Sequence, residues 1–303
     1  MNERVFTDTT EFHNIDQGDI IQIGDKRYLV TGNERERRFG VTDPKYWVKR
    51  CVDLDTNEKK ILKLTFFETF VISLAGVKIK RFRDPKKEEN ILALVKDHPY
   101  FMQGTSHQDK KGNSIRVLDI VQGTNFYVYL ESLTMEHEIY FHEILPGILA
   151  DLLQAFEALR FLHLNGFRHG DVRNDHMIIE RETKNYVWID FDYEFEPGEN
   201  PFSLDIFGLG NILLYACGKG FHDYHMISRD KTFYGDLSDR LEQTDFSILN
   251  KWRLFNLHKL YPYIPTVLND ILMHFSADAS VYYETVDEII EDMTRCTHLI
   301  FNK

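Results

Sequence analysis

The residues best suited to chemistry fall in one run, His169-Gly170-Asp171-Val172-Arg173-Asn174-Asp175-His176, which is followed after two short apolar segments by Asp190-Phe191-Asp192. Met177 to Glu180 and Tyr186 to Ile189 are apolar and partly β-branched, and the polar Arg181-Glu182-Thr183-Lys184-Asn185 between them favours a turn. A hairpin is therefore expected, and a hairpin brings its two ends together. Asp171 and His176, ahead of the first strand, are expected near Asp190 and Asp192, after the second. Clustered carboxylates beside an imidazole can hold a divalent cation or take up a proton. An Asp with a reference pKa of about 4 is ionised at neutral pH and can serve as the base.

This arrangement resembles the catalytic core of the protein-kinase-like superfamily, written H-x-D-x-x-x-x-N, a hairpin, then D-F-G. The chain matches at His169, Asp171, Asp190 and Phe191; it departs at His176, where the family has Asn, and at Asp192, where many members have Gly. The resemblance implies an α+β, bilobal protein-kinase-like fold, with an antiparallel-sheet N-lobe and a mostly helical C-lobe. It implies roles as well. Asp171 would orient the attacking hydroxyl and accept its proton, and Arg173, where many protein kinases have Lys, would contact the transferred phosphate. Asp190 would hold the metal, with His176 and Asp192 completing the site. Imidazole suits Mn²⁺ better than Mg²⁺, so the implied cofactors are ATP with Mg²⁺ or Mn²⁺. The carboxylate at Asp192 is closer to the antibiotic and choline kinases than to the protein kinases.

The flanking elements extend the resemblance from about residue 20 to the end. Strand-like segments at 20–23, 28–30, 46–52 and 60–64 are expected to form an antiparallel meander, and 114–120 and 126–130 resemble the remaining two strands of the family's small lobe. Lys63 in Ile61-Leu62-Lys63-Leu64 resembles the family's strand lysine, which pairs with nucleotide phosphates and a helix Glu. Distance from His98-Pro99 makes Glu89 the ion-pair candidate on the helix expected over 86–98, with Glu88 the alternative. The segment 31–40 stands where the family has its Gly-rich loop; it keeps Gly32 and Gly40, with Arg35, Arg37 and Arg38 as possible phosphate contacts. Glu131-Ser132-Leu133 resembles the hinge, so Glu131 and Leu133 are assigned to the nucleotide site. A core helix is expected from Pro146 to Leu164, with His163 as a structural histidine. Asp205-Ile206-Phe207-Gly208-Leu209-Gly210 resembles the large-lobe helix whose Asp holds the catalytic-loop backbone. Between Asp192 and Asp205 there is no room for a full activation segment, and Gly170 stands where many protein kinases have the Arg that senses it.

The boundaries that follow are an N-terminal extension at 1–18, an N-lobe at 19–131 and a C-lobe at 132–303, together one bilobal domain. An extra helix is expected within 68–83, and 219–262 has no counterpart in the family. Of 303 residues, 43% are hydrophobic and 28% charged, and the net charge is −12. That balance argues against nucleic acid or an anionic membrane as partner. Three Cys without CxxC spacing suggest neither a disulfide framework nor a zinc site, and with no span-length apolar run a cytoplasmic location is expected. The function the resemblance implies is ATP-dependent phosphotransfer to a hydroxyl, as an atypical Ser/Thr protein kinase lacking a full activation segment. The alternatives are a nucleotide-binding pseudokinase scaffold and a small-molecule kinase.

Overall fold

The computed structural model describes residues 4–38, 41–74, 76–196, 198–277 and 279–301, without the side chains of 36–38 and 41–42. The chain divides into two compact units, residues 1–69 with 82–122, and residues 70–81 with 123–303. Both contain helix and strand, and the sheets are largely antiparallel.

The first unit is a seven-stranded sheet in the order β1-β2-β3-β4-β5-β9-β8. It runs β1 (Val5–Phe6), β2 (Ile20–Ile23), β3 (Lys26–Arg38), β4 (Val41–Asp53) and β5 (Lys59–Lys63). Next come β6 (Thr69–Leu74) and β7 (Val77–Arg83), most of which belongs to the second unit, then α1 (Pro85–Leu94), β8 (Gly104–Gln108) and β9 (Ser114–Asp119). All pairings in this sheet are antiparallel except that of β1 with β2. Phe12, Ile15, Ile21, Tyr28, Val30, Leu62, Leu64 and Ile115 meet in its core. The N-terminal extension is thus part of this unit rather than an appendage. Lys49 ties it down: its buried Nζ donates to the Ile15 carbonyl at 2.6 Å and to Asn33 Oδ1 at 2.9 Å.

Asp109 is a second tie. Its carboxylate accepts from Thr9 N and Oγ1, Lys111 N, Asn113 N and Asn113 Nδ2, at 2.7 to 2.9 Å. Burial alone raises its pKa, but the donors from Asn113 and Thr9 outweigh burial and hold it at about 2, below its usual 3.8. A depressed folded-state pKa stabilises above the unfolded value and loses that contribution as pH falls from about 4 toward 2. Asp109→Asn is expected to destabilise by about 2 kcal/mol at neutral pH, with a smaller difference at pH 3, measured by urea unfolding at the two pH values.

In the second unit, β7 pairs between β6 and β13 (Tyr193–Phe195), and a further sheet has the order β10-β11-β12. Its elements are β10 (Gly123–Asn125), α2 (Phe126–Ser132), α3 (His137–Glu143), α4 (Leu145–Leu164), β11 (Met177–Glu180), β12 (Tyr186–Trp188) and α5 (Ser203–Gly218). After these come α6 (Tyr224–Arg229), α7 (Lys231–Tyr234), α8 (Leu237–Arg240), α9 (Leu257–Leu260), α10 (Thr266–Met273) and α11 (Val286–Phe301). The stretch 219–262 builds a small apolar cluster of its own from Ile227, Tyr234, Leu237 and Leu254. Among the described residues no helix is long and apolar enough to cross a membrane.

Two segments differ from the sequence expectation. Within 68–83 the described residues form the neighbouring strands β6 and β7 instead of a helix. Exposed and half-buried residues alternate strictly along β6, the period of a strand with one covered face. Residues 126–130 form α2 instead of a strand, because Asn125 caps it: its Oδ1 accepts from Tyr127 N at 2.9 Å. That cap outweighs the β-propensity of Phe126-Tyr127-Val128-Tyr129. As a result the division between units falls at Gln122/Gly123, ahead of the expected 131/132, and residues 123–131 belong to the second unit.

Candidate active site

The loop at 169–176 is held from below by α5. Asp205, in the first turn of that helix and fully buried, accepts from His169 N at 2.7 Å and Gly170 N at 2.8 Å, and its Oδ2 lies 3.0 Å from His163 Nε2. Helix and loop touch closely. A Cβ on Gly208 would come within 2.6 Å of the Val172 carbonyl oxygen, so only glycine lets α5 approach this far. The His169 ring packs edge-on against Trp188 and Phe191, and Trp188 Nε1 donates to the Ala155 carbonyl of α4 at 2.8 Å. The loop is therefore braced by two helices and the β11–β12 hairpin.

That hairpin closes as its sequence suggests, with Met177 opposite Trp188 and Ile189 N donating to His176 O at 3.0 Å. It brings four charged or imidazole side chains together. Asp171 is buried, at 8% exposure. Its Oδ1 accepts from Arg81 Nη2 at 2.9 Å; its Oδ2 lies 3.4 Å from His176 Nδ1 and 3.9 Å from Arg173 Nη1. His176 Nδ1 also contacts the Asp171 carbonyl at 2.9 Å, and Nε2 stands 3.7 Å from Asp190 Oδ2. Burial pushes the Asp171 carboxyl upward, but His176, Arg81 and Arg173 outweigh it and hold the group below the usual carboxylate range. Arg173 is anchored by both carboxylate oxygens of Asp175. Asp190 has φ +68, the left-handed region uncommon for a residue with a side chain, so the packing around it maintains a strained backbone at the strand's end.

Asp190 and His176 present an oxygen and a nitrogen donor to one locus, a donor pair that suits a divalent cation such as Mn²⁺. Asp192 is buried two residues on. Among the described residues, no group of three or more His, Cys, Asp or Glu has metal-site geometry. Beside the loop lies a cavity of about 260 Å³ bordered by Arg173, Asn174, Asn211, Phe221 and Arg253. A larger one, about 430 Å³, is lined by Tyr129, Asp151, Glu180, Arg181 and Tyr186 and touches none of the loop carboxylates.

The first unit holds its own buried charge cluster. Lys63 on β5 and Arg116 on β9 are directly opposite one another across the sheet, a like-charged pair that is unfavourable alone. Glu88 of α1, fully buried, resolves it: Oε1 accepts from Lys63 Nζ at 2.7 Å and Oε2 from Arg116 Nε at 3.1 Å. Two cations share one carboxylate. No family model matches the chain, and no curated protein matches it.

The expected partner of Lys63 is corrected from Glu89 to Glu88. Glu88 lies on the helix face of Ile91, Leu92 and Val95, all buried, whereas Glu89 is turned away and pairs with Lys86 at 3.0 Å on the surface. Gly32 stands in a strand, not in a loop. It lies within β3 opposite Arg50, at an irregularity in the β3–β4 register. Phe39 and Gly40 fall outside the described residues, as do the side chains of Arg37 and Arg38. Glu131 is an exposed residue of α2 and Leu133 its C-cap, so neither stands where the chain passes between units. Sequence reasoning missed Arg116 and Arg81. An arginine between Ile115 and Val117 in a strand buried almost throughout was a usable signal for the first; the second carried none.

Proposed function

We propose that the chain is a phosphotransferase of the protein-kinase-like superfamily, with that family's bilobal fold, moving the γ-phosphoryl group of ATP to a hydroxyl on an atypical protein substrate. The observation that carries this reading is the convergence of Asp171, Arg173, His176 and Asp190 on a loop clamped by Asp205. The acceptor oxygen attacks the γ-phosphorus while the bond to the β–γ bridging oxygen breaks, the nucleoside diphosphate departs, and the hydroxyl proton passes to Asp171. Positioning and charge neutralisation do most of the work in such a reaction. Arg173, half-exposed beside Asp171, is the cation for the group in flight. Lys63, fixed by Glu88, is the cation for the donor's phosphates. Asp190 and His176 are the residues that would hold a divalent cation, which would neutralise phosphate charge.

A second reading, a nucleotide-binding module without transfer, is favoured by the His176 ring, which already contacts both the Asp171 carbonyl and the Asp190 carboxylate. Thermal unfolding with ATP, titrated separately with Mg²⁺ and Mn²⁺, tests the nucleotide site common to both. A ligand that binds only the folded protein raises its Tm. A metal-dependent rise is expected, larger with Mn²⁺ and lost in Asp190→Ala. No rise with either metal would sink both readings.

A further inference from the structure

Arg81 lies outside the loop and every motif that flanks it, on β7. Its Nη2 donates to two acceptors of the loop, the Gly170 carbonyl at 2.8 Å and Asp171 Oδ1 at 2.9 Å. The guanidinium is packed between aromatic rings, 4.7 Å from the centre of Tyr193 and 5.7 Å from that of Phe70. Those rings stand on the two strands that pair with β7, and they meet each other edge-on at 5.8 Å. Arg81 is thus held by a sheet and flanked by rings, a rigid mounting for one charge. Its side chain is 14% exposed, too buried to be an incidental surface pair.

We propose that Arg81 is a positioning residue for Asp171, supplied to the loop by β7; the inference rests on the phosphotransferase reading. By bridging the carboxylate and the carbonyl of the preceding residue, a single nitrogen fixes the orientation of the Asp171 side chain relative to its own backbone. The engaged oxygen is Oδ1. Oδ2 accepts no hydrogen bond among the described residues, its neighbours being His176 Nδ1 at 3.4 Å and Arg173 Nη1 at 3.9 Å. Oδ2 is therefore the atom left to take the acceptor's proton. The loop does not supply this charge itself: Gly170 has φ +84, a backbone conformation strained for any residue carrying a side chain. A cation for Oδ1 comes instead from a strand ninety residues away in sequence.

The test measures ATP turnover as phosphate release, with water as acceptor, in wild type, Arg81→Ala, Arg81→Lys and a β7 control, Lys80→Ala. The control breaks an exposed ion pair between β7 and Glu196 without touching the loop. Arg81→Ala is expected to lose about 10²-fold in kcat through misplacement of the base, with the KM for ATP and the ATP-induced rise in Tm unchanged. Added guanidinium ion, below denaturing concentration, is expected to restore part of the rate to Arg81→Ala and none to Asp171→Asn. Arg81→Lys keeps the charge without the fork and is expected to fall between. It also serves should the Ala variant fail to fold. Lys80→Ala is expected to match wild type. Turnover by Arg81→Ala and Arg81→Lys at or above the wild-type rate would overturn the positioning role alone. Absence of turnover in wild type itself would remove the phosphotransferase reading and the inference with it.

Discussion

Asp171→Asn is expected to lower ATP turnover by about 10²–10⁴-fold while preserving the fold and the nucleotide-induced rise in Tm. Asn keeps the size and one oxygen of the carboxylate, so Arg81 Nη2 retains an acceptor, and the clamp of Asp205 on the His169 and Gly170 amides is untouched. What disappears is the oxygen able to accept a proton from an attacking hydroxyl. On the proposed reading the nucleotide response is expected to survive, because the residues proposed to hold the cation, Asp190 and His176, remain. Comparing turnover with Tm in one preparation therefore separates chemistry from binding. Equal turnover in Asp171→Asn and wild type would exclude Asp171 as the base. Loss of both turnover and the Tm response would point to a structural role for the carboxylate instead.

Glu88→Gln is expected to cost about 3–5 kcal/mol, because one neutral side chain replaces the carboxylate that two buried cations share. Lys63 and Arg116 would be left opposite one another across β5 and β9, at 6% and 1% exposure, without the negative charge that stands between them. A loss of that size lowers Tm by about 10 °C in a chain of this length. Glu89→Gln, which removes only a surface contact with Lys86, is expected to stay within about 0.5 kcal/mol of wild type. Differential scanning calorimetry on the two variants decides between adjacent residues of identical chemistry. Comparable Tm values for Glu88→Gln and Glu89→Gln would contradict the buried triad.

The difference between those two glutamates is legible in the sequence, since Glu88 falls on the helical period of Ile91, Leu92 and Val95 and Glu89 does not. Spacing from His98-Pro99 points the other way, and the apolar face decides. The Gly32 segment is the opposite case. Two glycines suggest a loop, but cross-strand pairing carries β3 straight through Gly32 with only a register irregularity. At Phe126 to Leu130, aromatic and β-branched residues suggest a strand, yet a single capping side chain at Asn125 turns the segment into a helix. Local propensity yields where a cap or a pairing partner satisfies the backbone better.

The loop, the hairpin and the carboxylates at its two ends follow from the sequence alone. Period-two strands joined by a polar turn must pair, and pairing draws His176 to within 3.7 Å of Asp190. The surroundings of Asp171 follow instead from packing between distant elements. Arg81 reaches it because β7 pairs with β13 as well as with β6, and Asp205 reaches the loop because Gly208 lets α5 approach. The contrast is one of range. Backbone hydrogen bonding and side-chain period are set within a few residues, whereas a buried charge pair depends on which distant elements share a core, a choice made by the packing of the whole unit.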